Sequence, residues 1–479
     1  MNYRMLGYLL GIIMLIEAAL LILPLVVAAI YGESLLPFLF TIGILLLLSL
    51  PLVIAKPQNT RIYAKEGFIT AAASWVLLSL FGALPFLFSG AIPNYIDALF
   101  ETVSGFTTTG ASILTEVESL PRGILFWRSF THWIGGMGVL VFMLAILPAD
   151  NGRAMHLLRA EVPGPTKDKI VPKMRKTALI LYGIYMALTL LLFVALLFTK
   201  MPVYDSLVNA VATAGTGGFS VKNASIGAYQ NPAAEWIIAI FMIIFGINFN
   251  IYFLMLVKRF KDVFKSEELR VYLLICLFST VAITVNTLSY FPTTGETVRT
   301  AFFQVATIVS TTGYATADFN LWPSFSKAIL LLLMLLGSCA GSTAGGLKLS
   351  RVIIAVKNMF RSVKKTIRPR SVNVVRLDGE ALPDTTLHAT ASYISIYFAF
   401  IILTTLLISL DGFSTETNIS AAIACINNIG PGFDTVGATG NYAAFSPFSK
   451  IILTANMMFG RLEFMPMLIL FAPSTWKRG

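Results

Sequence analysis

Thr108-Thr109-Gly110-Ala111, Gly215-Thr216-Gly217-Gly218, Thr311-Thr312-Gly313-Tyr314 and Asn428-Ile429-Gly430-Pro431 read as four degenerate copies of one segment. Each follows a short apolar stretch that begins near an acid, and each precedes a long apolar run. The glycines at 110, 217, 313 and 430 recur with a period of roughly a hundred residues. Glycine reaches positive φ without steric cost, so the carbonyls around it can turn toward one axis. Rings of backbone carbonyls replace the water shell of a dehydrated cation. A single Thr-Thr-Gly carries little information. Four glycine loops in phase, each set between a short and a long apolar segment, are enough to close one pore.

Composition sets the solvent. Of the 479 residues, 56% are hydrophobic and 12% charged, and the mean hydropathy is +0.79. Segments such as 12–30, 177–198, 328–336 and 393–410 are near-continuous apolar runs, and about 20 such residues span a bilayer. The chain therefore reads as an all-α multi-pass membrane protein. A barrel would alternate apolar and polar residues over about ten residues per strand, which this sequence does not do. The first apolar segment does not read as a cleaved signal, because Glu17 interrupts it and no small-x-small site closes it. The net charge of +11 does not indicate nucleic acid. Of the 35 basic residues, 27 gather at 56–65, 153–176, 258–270 and 348–376 and at Arg4, Lys477 and Arg478. Basic loops of this kind stay cytoplasmic.

These loops divide the chain into 1–56, with two spans (5–30 and 34–55), and four blocks at 57–150, 151–262, 263–376 and 377–479. Each block follows one plan of span, short half-helix, glycine loop and return span. The spans are 67–89 and 122–148, 176–199 and 233–258, 268–290 and 323–356, then 386–410 and 445–472. The half-helices are 96–107, 204–213, 296–309 and 415–427. Ten spans put both termini in the cytoplasm. A twelve-residue half-helix is only about 18 Å long, and the loop after it cannot face lipid. Re-entry to the centre of the protein follows.

Asp97 and Glu101, Asp205, Glu296 and Glu416 open the half-helices. Capping and dipole complementarity explain them. Concentrating cations at an outer vestibule is a further reading, and the two are compatible. Asp434, just after the fourth loop, is placed to face that mouth. No loop carries Lys, Arg or an acid between its half-helix and its glycine. Thr108, Thr109, Thr216, Thr311 and Thr312 either anchor the loops or add hydroxyl oxygens.

The third return span is interrupted by Gly337-Ser338-Cys339-Ala340-Gly341-Ser342-Thr343-Ala344-Gly345-Gly346. This is poor helix material, which fits either close helix packing or an unwound, water-lining loop. It is no phosphate loop, lacking the Gly-Lys-Ser/Thr ending and a preceding strand. Arg461 lies deep in the last span, where a charge costs about 2.5–3.5 kcal/mol and must face water or a partner. A straight helix turns Glu463 to another side, so the two do not pair within the helix. His132, beside Trp133, reads as a packed, hydrogen-bonded side chain. His156 and His388 fall near cytoplasmic loops. Cys276, Cys339 and Cys425 sit in apolar surroundings with no metal or disulfide spacing. No catalytic constellation is present, and the chain is not read as an enzyme.

Several motifs together carry a resemblance. They are Ser104-Gly105-Phe106-Thr107-Thr108-Thr109-Gly110-Ala111, His132-Trp133-Ile134-Gly135-Gly136-Met137-Gly138, Ser310-Thr311-Thr312-Gly313-Tyr314, Gly341-Ser342-Thr343-Ala344-Gly345-Gly346-Leu347-Lys348, Asn428-Ile429-Gly430-Pro431-Gly432 and Gly460-Arg461-Leu462-Glu463. The chain resembles the Trk/Ktr/HKT superfamily of potassium transporters over essentially its whole length. Its two extra N-terminal spans ally it with the TrkH branch rather than the shorter Ktr subunits. The resemblance implies four tandem helix–pore-helix–helix repeats around a central pseudo-fourfold pore, in the cell membrane. Potassium would pass a selectivity filter made by Thr108, Thr109, Gly110, Gly215, Thr216, Gly217, Thr311, Thr312, Gly313, Asn428, Ile429 and Gly430, with one family glycine each at 110, 217, 313 and 430. The second and fourth loops depart from Thr-Thr-Gly, so fourfold symmetry is approximate. A gate of Gly337, Ser338, Gly341, Ser342, Thr343, Gly345 and Gly346 would lie beneath it, with Arg461 as a barrier to ions; for Arg461 a structural ion pair is the other reading. The resemblance also implies a homodimer on a cytosolic TrkA-like nucleotide-binding ring, docked on 153–176 and 348–376, and no organic cofactor in this chain. A sodium- or proton-coupled symporter of the same family is the alternative. A voltage-gated channel would need regularly spaced basic residues in a span, and inverted-repeat transporters show two repeats, not four.

Overall fold

The computed structural model describes residues 2–59, 64–138 and 174–473. The basic residues 153–173, His156, the end of the first return span and the pair Lys477 and Arg478 lie outside the described residues. Helices α1 (Tyr3–Leu20) and α2 (Ile22–Ile30) run end to end, and α3 (Leu36–Ile54) packs back along α1. Then come α4 (Ala64–Gly82), α5 (Leu84–Phe88), the short α6 (Tyr95–Phe106) and α7 (Arg122–Met137). Next are α8 (Met174–Phe198), the short α9 (Val203–Gly215), α10 (Pro232–Phe245), α11 (Phe249–Leu256) and α12 (Phe260–Lys265). The third stretch holds α13 (Glu267–Thr287), the short α14 (Thr294–Val309), α15 (Ser324–Leu336) and α16 (Leu349–Ile367). A two-residue antiparallel hairpin, β1 (Arg376–Leu377) with β2 (Glu380–Ala381), leads to α17 (Asp384–Ile408), the short α18 (Thr415–Ile426), α19 (Pro447–Leu462) and α20 (Phe464–Phe471).

Six helical segments among the described residues are long and apolar enough to cross a membrane. Their outward faces carry exposed apolar side chains such as Leu190, Phe278 and Ile402, whereas the short helices α6, α9, α14 and α18 are mostly buried beyond their first turns. Apolar outside and polar-bearing inside is the pattern of a chain solvated by lipid. The short helices start within two residues of the expected bounds. Asn94, Thr293 and Ser414 cap three of them, accepting from Ile96, Glu296 and Thr417 N–H; α9 follows Pro202 without a side-chain cap.

The return spans differ from expectation. The stretch 233–258 is not one straight span: α10 and α11 meet at 89°. Asn248 starts α11 by accepting the Asn250 N–H at 2.9 Å. The stretch 323–356 splits into α15 and α16 with no regular helix between, so the small residues unwind rather than pack as a helix. The stretch 445–472 breaks at Glu463, whose φ is +64°. Each interruption frees backbone groups, and a membrane interior demands that they find protein partners.

Four of the five acids at the short helices, Asp97, Glu101, Asp205 and Glu416, are engaged by their side chains. Asp97 pairs with Lys450 at 2.7 Å, Asp205 accepts from Tyr229, and Glu416 meets Lys327 at 3.4 Å. Glu101 is fully buried, which removes it from any vestibule. It takes Arg128 Nε at 2.6 Å and also accepts from Ser112 Oγ and Ile113 N. Arg128 in turn donates to the Ser220 carbonyl at 3.1 Å and lies 3.5 Å from the centroid of the Phe219 ring. One buried pair thus fastens the outgoing limbs of the first and second glycine loops. Glu101→Gln strands a buried guanidinium and is expected to cost about 3–5 kcal/mol, read as the unfolding midpoint in detergent. Glu416→Gln, at an exposed pair, is expected to change stability by about 0–1 kcal/mol.

Candidate functional site

All four short helices end in the same hydrogen-bonded turn. Thr108 N–H donates to Gly105 and Thr109 N–H to Ser104; Thr216 and Gly217 donate to Thr213 and Ala212. Thr311 and Thr312 donate to Ile308 and Thr307, and Asn428 and Ile429 to Cys425 and Ala424. This is a Schellman end, which puts one residue in the left-handed region. That residue is usually glycine, yet here it is Thr108, Thr216, Thr311 and Asn428, at φ of 57°, 55°, 56° and 55°. Asn tolerates that region, but a β-branched threonine there is a strained choice, and three of the four loops carry one.

Two residues later comes a glycine at positive φ: Gly110, Gly218, Gly313 and Gly430. These four interlock. A methyl built on Gly110 would overlap the Gly217 carbonyl oxygen, and one on Gly218 the Thr312 carbonyl oxygen. One on Gly313 would strike the Ile429 carbonyl, and one on Gly430 the Thr109 carbonyl. The contacts run from loop one to two, three, four and back to one, so the loops close a ring. The register in the second loop is therefore one residue later than the sequence reading: the counterpart of Gly110 is Gly218, and Gly217 occupies the Thr109 position. Gly215, the last residue of α9, stands where the other loops have Thr107, Ser310 and Asn427.

Side chains brace the ring from behind. Thr109 Oγ1 lies 2.7 Å from Thr107 Oγ1, and Thr312 Oγ1 lies 2.7 Å from Ser310 Oγ. Asn428 Nδ2 reaches Thr109 Oγ1 and the Met457 carbonyl, both at 3.0 Å, linking the fourth loop to the first. Tyr442 donates to the Gly430 carbonyl at 2.8 Å, and Tyr397 exchanges hydrogen bonds with Asn427. His132 is buried and accepts the Phe219 N–H on Nε2, so Nδ1 carries the proton it gives to the Gly105 carbonyl at 2.8 Å. Its ring lies against Gly217. Thr108 Oγ1 and Asn428 Oδ1 are buried without a hydrogen-bond partner. Asp434 is an exposed side chain fastened to the start of α18, and the hydrogen bonds from Ser414 and Thr417 hold its carboxyl below the usual range.

Behind the ring lies the unwound segment 337–348. Gly345 N–H donates to Thr311 Oγ1 at 2.8 Å, and a methyl on Gly345 would meet the Asn427 carbonyl. The segment trades hydrogen bonds with the break between α10 and α11: Cys339 N–H to Gly246, Thr343 Oγ1 to Phe245, and Phe249 N–H to Gly341. Arg461 donates to the Thr343 carbonyl at 2.7 Å and to Gly135 and Gly136 at 2.5 and 2.8 Å, joining this segment to the end of α7. Glu463 instead pairs with Arg351 at 2.6 Å. Ser338 and Ser342 approach each other at 3.2 Å, and Lys348 donates to the Ala344 carbonyl. Gly337, Gly341 and Gly346 all have positive φ. The three cysteines are free and buried. No metal-binding cluster of His, Cys, Asp or Glu occurs among the described residues. The buttresses Asn427, Tyr397, Tyr442 and Arg128 escaped the sequence reading, because their partners are set by the fold and not by a local spacing.

A family model described as TrkH, cation transport protein, matches residues 38–478. The Trk system potassium uptake protein TrkH of Salmonella typhimurium is 36% identical over 486 residues, covering all of both chains. That of Escherichia coli K12 is 36% identical over 487 residues, again with full coverage. The crystal structure of the potassium transporter TrkH from Vibrio parahaemolyticus aligns over both full chains with a TM-score of 0.88 at 29% identity.

The register of the second loop is open to direct test. Gly217→Ala meets only the His132 ring among its nearest atoms, whereas Gly218→Ala meets the Thr312 backbone. Each is expected to lower stability by about 1–3 kcal/mol in detergent unfolding. Adding His132→Ala relieves the clash at 217 and not that at 218.

Proposed function

Because the chain belongs to the TrkH cation transport family, we propose that it is the potassium uptake protein of a Trk system, passing the ion through the ring of four glycine loops. The closed succession of glycine–carbonyl contacts is the observation that carries this reading. A potassium ion stripped of water needs about six to eight oxygens, which rings of backbone carbonyls supply. Four loops offering one oxygen per layer meet that need with two layers. Thr108 Oγ1 and Asn428 Oδ1, left without protein partners, are further donors. The short helices present their negative C-terminal ends to the ring, which favours a cation at its centre. The interlock resists contraction, so a smaller ion such as sodium loses more water than the ring replaces.

The residues of the filter are those of the sequence reading with Gly218 added. The repeats span 57–150, 151–262, 263–376 and 377–479 about a pseudo-fourfold axis, after two N-terminal helices, with both termini cytoplasmic. Segment 337–346 with Arg461 forms the barrier beneath the ring, supported by the contacts to Thr311, Thr343, Gly135 and Gly136. A guanidinium there repels cations until the segment moves. In this reading the chain is one protomer of a homodimer and takes its control from a cytosolic TrkA-like nucleotide-binding ring.

Purified chain in potassium-loaded vesicles is expected to take up rubidium in preference to sodium. Gly313→Ser forces a side chain at φ +86° into the Ile429 carbonyl and is expected to reduce that preference by roughly ten-fold or more, the scale of a lost ring contact. Equal rubidium and sodium uptake by the unmodified chain overturns the proposal. Dependence of uptake on an imposed sodium or proton gradient would favour the coupled alternative.

A further inference from the structure

The segment 337–348 is gripped at both ends by one side chain outside the ring. Glu268, buried in the first turn of α13, accepts the Ala340 N–H at 2.8 Å and the Ser350 N–H at 2.9 Å on the same oxygen, Oε1. Ala340 lies within the unwound segment and Ser350 in the first turn of α16. A carboxylate at that position draws on the positive end of α16 as well as on two charge-assisted hydrogen bonds. No other single side chain among the described residues makes hydrogen bonds to backbone N–H groups at both ends of the segment. The neighbouring residue faces the cytoplasmic elements. Glu267 pairs with Lys357 of α16 at 2.6 Å, and its N–H donates to Asp378 Oδ1 at 2.7 Å in the turn of the β1–β2 hairpin. Lys357 also donates to the Arg376 carbonyl of that hairpin at 2.8 Å. Val375 and Leu382 of the hairpin stem pack against Ile354 of α16.

We propose that Glu268 is the positioning residue that clamps the gating segment beneath the ring, with Glu267, Lys357 and Asp378 linking the clamp to the cytoplasmic hairpin. This rests on the reading of 337–346 as the barrier. A pull on the hairpin or on the outer part of α16 shifts the start of α13, and the same turn of helix then loosens both ends of the segment. The clamp sets whether the segment stays in place and takes no part in contacting the ion.

The test uses the full chain in vesicles without a cytosolic partner, with two readouts. Glu268→Gln keeps the shape and loses the charge, while Glu268→Ala removes both hydrogen bonds. Rubidium uptake is expected to rise by about ten-fold for the alanine variant, the scale of losing charge-assisted hydrogen bonds, and by less for glutamine. Modification of Cys339 by a water-soluble methanethiosulfonate is expected to quicken in parallel, while Cys276 and Cys425, buried on α13 and α18, stay protected. Lys357→Ala, which leaves Glu268 in place, is expected to give the same signature more weakly. Unchanged Cys339 reactivity in the Glu268 variants overturns the clamp, as does equal quickening of all three cysteines, which marks general loosening. Arg461→Ala separates the clamp from the barrier. If it raises uptake while the Glu268 variants do not, the clamp is wrong and the barrier stands. If it and the Glu268 variants all leave uptake unchanged, the barrier reading fails and the clamp with it.

Discussion

A backbone N–H or C=O that leaves a helix inside a bilayer must find a protein partner, because lipid offers none. That requirement organises this molecule. Four loops and several helix breaks lie within the fold, and their freed groups are matched chiefly to one another. The break at Gly246–Asn248 and the unwound segment at 337–348 answer each other's needs through Cys339, Thr343 and Phe249. The carbonyls freed at the end of α7 and at Thr343 are taken by Arg461. Irregularity in one repeat is thereby the condition for irregularity in the next.

Buried charge follows the same logic. Glu101 with Arg128, Arg351 with Glu463, and Glu268 with two N–H groups each place a charge where a helix end or loop needs a fixed partner. Such pairs gain little net stability over apolar packing, but removing one member is costly. Here they set geometry: each ties a re-entrant or unwound segment to a neighbouring element, and Arg351 also lies 3.8 Å from the centroid of the Tyr393 ring on α17.

The half-helices were legible because a glycine loop after a stretch too short to span leaves few alternatives, and Asn94, Thr293 and Ser414 stand where caps belong. The small residues of 337–346 marked poor helix material without choosing between close packing and unwinding; the hydrogen bonds to the α10–α11 break decide. The second loop was not, since Gly217 and Gly218 are adjacent and composition cannot choose between them; the left-handed turn at Thr216 decides. The bend before α11 was hidden by apolar residues on both sides of Asn248. The break at Glu463 was hidden because Leu462 and Phe464 continue the apolar run on both sides of it. Glu101 looked like a vestibule acid because its partner, Arg128, lies on the other limb of the loop. The His132 environment was anticipated as packed, though its role as a strut between Gly105 and Phe219 depended on contacts that sequence spacing does not carry.

The contact between Gly430 and the Thr109 carbonyl joins the last loop to the first across more than three hundred residues. A ribosome delivers the chain from its N-terminus, so the first three loops enter the membrane as an open arc. Their circle stays incomplete until the fourth arrives. Only then does the arc become a circle. The contact that closes the ring is thus the last to be made as the chain is synthesised, and neither the first loop nor the third finds its full set of neighbours until the C-terminal quarter is in place.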